Sequence, residues 1–234
     1  NAWIVADGGH LLIQGIQVTA WDAAAAAVDT EIADGRGYLL ASQGGRMDII
    51  DSEIAYLGYA SGEPSGLSWR ERADPADPAT GATGSIVNSS VHHNYFGQYS
   101  YEAVGLVIRD SRFYENLVYG IDPHDYSYGF LVENNTVFNN GKHGIIFSRG
   151  CYNNIIRGNQ VYGNAEHGIM LDRGSNNNTI ENNLVYDNAD GIAIYQSSDN
   201  TIVNNTVRDN LRGVRVNATY DVNDIYDGIS TNNT

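Results

Sequence analysis

From residue 120 onward the chain repeats one short pattern, a glycine followed by alternating apolar positions. The glycines are Gly120, Gly144, Gly168, Gly191 and Gly213, evenly spaced to within two positions. Position +1 from each reads Ile121, Ile145, Ile169, Ile192 and Val214, and position +3 reads Pro123, Phe147, Leu171, Ile194 and Val216. Alternation with period two predicts a short strand with one face toward a core. A further column, Val137, Val161, Val185 and Val207, keeps the same beat, and Asn135, Asn159, Asn183 and Asn205 share it. Nothing within a repeat has the length and spacing of an amphipathic helix. A period of roughly 20–50 residues built only from short strands predicts an all-β solenoid, a parallel β-helix whose coils stack about 4.8 Å apart.

The register extends upstream. Phe113 and Val91 stand one and two repeat lengths before Val137, and Ile54 and Val18 read as earlier members of the same column. The whole of 1–234 is therefore read as a single domain. Two stretches break the pattern and are predicted as loop insertions. One, near 22–37, contains five consecutive alanines; the other, near 61–84, holds three of the four prolines. Long loops on a rigid scaffold often shape a binding groove. The Asn column is assigned to corners, because Asn tolerates left-handed backbone and stacked amides can bond up the solenoid. Asn134-Asn135-Thr136 and Asn204-Asn205-Thr206 also match glycosylation acceptors. Their periodicity favours the corner assignment.

Composition agrees. There are 26 Asn and 26 Gly among 234 residues, with 17 of the Asn between 134 and 205. Four Pro and 42% apolar residues exclude a disordered chain. No apolar run approaches the roughly 20 residues that span a bilayer, so membrane insertion is not expected. The net charge of -15, from 13 basic and 28 acidic residues, argues against nucleic acid as a partner. Nine of the 13 basic residues lie in 100–234. The single Cys151 excludes an intramolecular disulfide. A start at Asn1 with no visible leader reads as a chain processed or cut from a longer precursor.

Offsets from the repeated glycine also sort the chemistry. Position +4, predicted to face outward, reads His124, Ser148, Asp172 and Tyr195, and +5 reads Asp125, Arg149, Arg173 and Gln196. Position -1 reads Tyr119, His143, His167, Asp190 and Arg212. One coil separates Arg149 from Asp125, roughly 5 Å, with His124 beside them. The coil-length spacing and the interleaved arginines argue against a metal site. Imidazole, phenol and guanidinium groups on one face suit removal of a weakly acidic proton next to a carboxylate. The guanidinium would neutralise that carboxylate while the carbanion delocalises into it. Uronate lyases and uronate epimerases both begin this way, and a non-catalytic carbohydrate-binding solenoid is a third reading.

At Tyr119–Ser127, "YGIDPHDYS", the chain resembles the mannuronan C5-epimerases of alginate biosynthesis, of the periplasmic type. The segments "AWIVADGGHLLIQGIQVTAWD", "SEIAYLGYASG", "KHGIIFSRG" and "LDRGSNNNTIENN" carry the same resemblance in the same order. It implies a right-handed parallel β-helix that converts mannuronate to guluronate within an anionic polysaccharide, in a secreted or periplasmic setting. By the resemblance, His124 would be the base and Arg149 the carboxylate clamp. Asp122 would orient or tune the histidine with Asp125 nearby; Tyr119 matches a tyrosine that serves the opposite face of the sugar in the extracellular relatives, with a water as the alternative donor in the periplasmic type. Lys142, His143, His167, Asp172 and Arg173 would line subsites. No cofactor is required by this reading, a calcium requirement stays open, and the chain would act as a monomer. Tyr126 departs from the arginine common at that position in the periplasmic type.

Overall fold

The computed structural model describes residues 2–60, 65–217 and 233–234. Each coil is made of three short strands, and three parallel sheets result. The first sheet stacks nine strands: Trp3–Asp7, Tyr38–Ser42, Gly66–Arg70, Phe96–Tyr101, Ile121–His124, Ile145–Ser148, His167–Asp172, Asp190–Tyr195 and Arg212–Asn217. The second runs through eight strands from His10–Gln14 to Thr201–Val203, and the third through eight from Gln17–Thr19 to Thr206–Arg208. The register joins the predicted column link by link: Val18 to Ile54, Ile54 to Val91, Val91 to Phe113, Phe113 to Val137 and Val137 to Val161. Among the described residues, no helix is long and apolar enough to cross a membrane.

The +1 and +3 columns do form the core. Ile121, Ile145, Ile169, Ile192, Phe147, Leu171 and Ile194 are all fully buried in one continuous cluster. Val214 and Val216 are half exposed because they sit on the last coil of the first sheet.

The stretch predicted as a loop near 61–84 is only partly one; its residues 61–64 lie outside the described part. Gly66–Arg70 is a strand of the first sheet, and Trp69 within it is fully buried, with Nε1 donating to the Met47 carbonyl at 3.3 Å. A second strand begins at Thr83. The excursion between them holds Pro75 and a short 3-10 turn, Pro78–Thr80, capped by Asp77. Composition averaged over the whole stretch hides the short strand inside it. Within 22–37, the chain turns back in a small antiparallel pair, Trp21–Asp22 with Ala27–Val28.

Corners are where the sequence specifies the coil most strongly. Three amide ladders run parallel to the axis rather than one: Asn94-Asn116-Asn140-Asn164-Asn188-Asn210, Asn135-Asn159-Asn183-Asn205 and Asn154-Asn178-Asn200-Asn233. The Oδ1 of each rung accepts both the backbone N–H and the side-chain Nδ2 of the rung before it. Asn159 Oδ1 thus receives Asn135 N at 2.9 Å and Asn135 Nδ2 at 3.0 Å. Its own Nδ2 donates to Asn183 Oδ1 at 3.0 Å and to the Val132 carbonyl at 2.9 Å. The ladder amides are not the left-handed residues. Among the described residues, that conformation falls on the residue before the ladder amide, as at Asn134, Gly158, Asn182 and Asn204, with φ between 54° and 64°.

The repeated glycines serve a different need. A Cβ at Gly144 would sit 2.6 Å from Val161 Cγ1 and 2.8 Å from both Asn164 Nδ2 and the Gly168 carbonyl. Close approach of ladder and backbone, not a left-handed φ, excludes a side chain there.

Asn159→Ala leaves the Asn135 donors and the Val132 carbonyl without partners in a buried corner, at about 1–3 kcal/mol for each orphaned group. A lower melting temperature in thermal denaturation is expected, with the catalytic constants of the folded fraction unchanged.

Candidate active site

On the first sheet the alternation that buries positions +1 and +3 turns +2 and +4 to the outer face. The strands that carry the candidate residues, and their neighbours on either side, are followed by a residue with a positive φ. These are Glu71, Glu102, Asp125, Arg149, Arg173 and Gln196, with φ from 35° to 64°. None is glycine, and the left-handed conformation costs an L-residue about 1–2 kcal/mol. The corner column therefore presents charged side chains from a backbone held by its neighbours, as where Asp125 N bonds to the Ser148 carbonyl and Arg149 N to the Asp172 carbonyl. Its sign changes along the axis, with Glu71, Glu102 and Asp125 on one side and Arg149 and Arg173 on the other.

The change of sign falls at the coil carrying "DPHD". His124 Nδ1 makes a short hydrogen bond to Asp125 Oδ2, and both side chains are only partly exposed. A carboxylate can only accept, so Nδ1 carries the hydrogen and Nε2 is the basic nitrogen. Arg149, one coil on, extends Nη1 to within 3.8 Å of Asp125 Oδ1 and keeps 45% of its side chain exposed. Asp122 lies two residues before His124 on the same face, is 1% exposed, and has no hydrogen-bond partner for Oδ1. Ser148, level with His124 on the next coil, has an equally unpartnered buried Oγ.

The electrostatics follow from this packing. Burial pushes the Asp122 carboxyl up to about 7, reinforced by Asp172 and Asp125 and opposed by His124 and Arg149. For His124, burial disfavours the imidazolium, but the bond to Asp125 and the charges of Asp122 and Asp125 outweigh it. Its pKa stands above the ordinary histidine value.

The sequence-predicted residues separate into groups. His124, Asp122, Asp125 and Arg149 converge. Tyr119, His143 and His167 belong to another column, where the rings of Phe96, Tyr119, His143 and His167 stack at 5.3, 5.2 and 4.9 Å. His143 is 2% exposed, and burial, with His167 and Lys142 nearby, drives its pKa down to about 3. His143 is therefore a neutral ring packed inside this stack, with Nε2 3.3 Å from Glu166, rather than an outward-facing charge. His167 is likewise buried, with its pKa lowered, and lies 3.3 Å from Asp190. Asp172 is buried and paired with Arg173 at 3.1 Å. It stands two coils from His124, or about 10 Å. Lys142 is exposed on the turn before Gly144. Among the described residues, no group of three or more His, Cys, Asp or Glu side chains is placed to hold a metal ion.

Two residues of this cluster are not visible in the sequence pattern. Tyr99 is in register with Asp122 on the preceding coil, and its ring packs on His124 at 5.8 Å between centroids. Arg70 lies over the same ring at 4.6 Å. The available signal is Gly97, one repeat length before Gly120. Polar residues, Gln98 and Ser100, occupy the +1 and +3 positions after Gly97 and hide the repeat there.

The family model described as "Right handed beta helix region" matches residues 14–172 and 79–233. The mannuronan C5-epimerase of Pseudomonas fluorescens is 35% identical over 133 residues, covering 55% of this chain and 25% of that protein. The mannuronan C5-epimerase AlgG of Azotobacter vinelandii is 36% identical over 100 residues, 41% of this chain and 19% of that protein. A crystal structure of the periplasmic alginate epimerase AlgG superposes with a TM-score of 0.81 at 32% identity, covering 87% of this chain and 49% of that one. The chain thus spans about a quarter, or less, of the length of these curated relatives.

Asp122 generates a stability test. The folded state holds this proton to about pH 7, whereas the unfolded chain releases it near 3.8, so the folded state binds more protons in between. Stability therefore falls as pH rises through that window. Asp122→Asn is neutral throughout, and its melting temperature should exceed the parent's above about pH 7 and converge with it below about pH 4. Parallel profiles across that range would show that the carboxyl keeps an ordinary pKa.

Proposed function

The chain belongs to the right-handed β-helix family, and on that premise we propose that it is a mannuronan C5-epimerase acting on an anionic polyuronate. The observation that carries this reading is the outward-facing set of His124, its Asp125 partner and Arg149 one coil away, beside the buried carboxyl of Asp122. Arg149 engages the C6 carboxylate of the sugar and makes C5 acidic enough to ionise. His124 Nε2 takes the C5 proton, and the electron pair passes into the carboxylate as an enediolate. Asp122, buried beside His124, tunes the imidazole through its charge. Return of a proton to the opposite face completes the inversion. Tyr119, by family resemblance, or a water would supply it.

Stacked coils repeat about every 4.8 Å, close to the rise of one 1,4-linked pyranose unit, so a polymer lying along the axis presents successive carboxylates to successive coils. Arg173 and Lys142 are the groups for neighbouring uronates. The reading places the protein in the periplasm or outside the cell, as a monomer without a cofactor. Chelation with EDTA tests any calcium requirement.

Polymannuronate incubated with the protein in deuterated water should acquire guluronate signals in proton NMR with solvent label at C5. Rising ultraviolet absorbance from unsaturated uronate would instead identify a lyase, and neither change would leave a binding module. His124→Ala should lower turnover by about 10²–10⁴-fold without unfolding the chain. Arg149→Lys should keep a small fraction of activity and Arg149→Ala almost none, with kcat falling more than KM rises, because a guanidinium fork is lost.

The pH dependence has a definite sign. His124 must be neutral to accept the proton, and its pKa lies above the ordinary value. Activity should rise with pH through an apparent pKa above about 6.5. Asp125→Asn removes the partner that raises it, and should move that limb to lower pH.

A further inference from the structure

His124 is anchored through one atom. The bond from Nδ1 to Asp125 fixes where the imidazole edge lies, but the ring plane can still tilt about that bond. The second constraint comes from the preceding coil. Tyr99 lays its ring on the imidazole with centroids 5.8 Å apart and planes 30° from parallel, and the Arg70 guanidinium lies over the Tyr99 ring at 4.6 Å. Guanidinium, phenol and imidazole thus form one interlocked stack across three successive coils. Asp122, Asp125 and Arg149 are all near enough for their charges to act on the Tyr99 phenol. Tyr119 does not share this place, since it is stacked between Phe96 and His143 in a different column.

We propose that Tyr99 is a positioning residue, whose ring fixes the plane of the His124 imidazole so that Nε2 keeps its aim at C5 of the bound uronate. The role rests on the epimerase reading and deepens it. Stacking an aromatic face on an imidazole removes the tilt that a single hydrogen bond allows, and Arg70 holds the Tyr99 ring against its own rotation. Misplacing a catalytic group by about 1 Å can cost about 10²-fold in rate, so the contact has a large lever. Burial and the Asp122 charge push the phenol above its ordinary pKa, so the ring adds no negative charge where an anionic sugar must dock.

The test compares Tyr99→Leu with Tyr99→Phe. Removing the ring should lower kcat by about 10–10²-fold with KM within about threefold, whereas Phe, which keeps the ring, should recover most of that loss. A merely structural contact would leave the acid–base behaviour of His124 alone. NMR titration of its ring protons should therefore show a displaced pKa in Tyr99→Leu and a parental one in Tyr99→Phe. Should Tyr99→Leu lose its folded circular dichroism spectrum, Tyr99→Met fills the volume with a flexible aliphatic chain and takes its place. Parental kcat and titration in the aliphatic variant overturn the proposal. So does equal impairment in Tyr99→Phe, which would assign the function to the hydroxyl. If the parent fails to label C5, the epimerase reading falls, while the titration still reports whether the ring constrains His124.

Discussion

Every side chain on this solenoid takes its place from one constraint, the need of a buried corner amide to find partners in the coils above and below. An Asn at such a corner has one acceptor and two donor hydrogens in a setting without water. The structure satisfies them by stacking identical residues, so that each Oδ1 accepts two bonds from the preceding coil. Three such ladders, one at each corner, lock the register of all three sheets together. Successive ladder residues are 22 to 24 positions apart, except for the last step of the third ladder, Asn200 to Asn233, which spans 33, and the ladders hold their alignment through that variation. A slip of one residue in any strand would exchange its two faces and break the ladder at the same time.

Once the register is fixed, the outer face of the first sheet becomes a lattice on which chemistry can be placed without consulting the core. The cluster around His124 uses that freedom but also shows its cost. Asp122 occupies an outward position and is nonetheless excluded from solvent, so its carboxyl is held near neutrality by burial. The site thereby gives up stability as pH rises toward neutrality. Asp125 and Arg149 carry a second strain, since both adopt left-handed backbone without being glycine. Strain of this kind persists where surrounding bonds over-determine the conformation, as the coil-to-coil backbone bonds of Asp125 to Ser148 and Arg149 to Asp172 do.

Much of this is legible in the sequence because a solenoid converts periodicity directly into position. The regular beat places the Val, Ile and Asn columns correctly, back to Val18. Particular elements are lost for physical reasons. Gly66–Arg70 is hidden by the proline-rich excursion beside it. Asn116, Asn140 and Asn164 follow the same beat as the recognised ladder, but their offset from the glycine does not by itself announce a second corner. His143 and His167 resemble outward groups when position -1 is assigned by proximity to a glycine, whereas their rings pack against one another and leave solvent. Tyr99 is missed because Gln98 and Ser100 stand where the later coils carry apolar residues, so the alternation that marks the other strands is absent around it.

The corner column of the first sheet has one more consequence. Carboxylates at Glu71, Glu102 and Asp125 give way to guanidinium groups at Arg149 and Arg173 within a few coils, which makes an electric dipole directed along the solenoid axis at the rim of the outer face. A polyanion drifting toward that face feels a torque before it makes any contact. On the proposed reading, its charged length would be drawn over the coils of Arg149 and Arg173 and pushed away from those of Glu71 and Glu102. Orientation along the axis, which the closely similar coils from Ile121 to Tyr195 do not encode by shape, would be supplied by the order of charges at a single column.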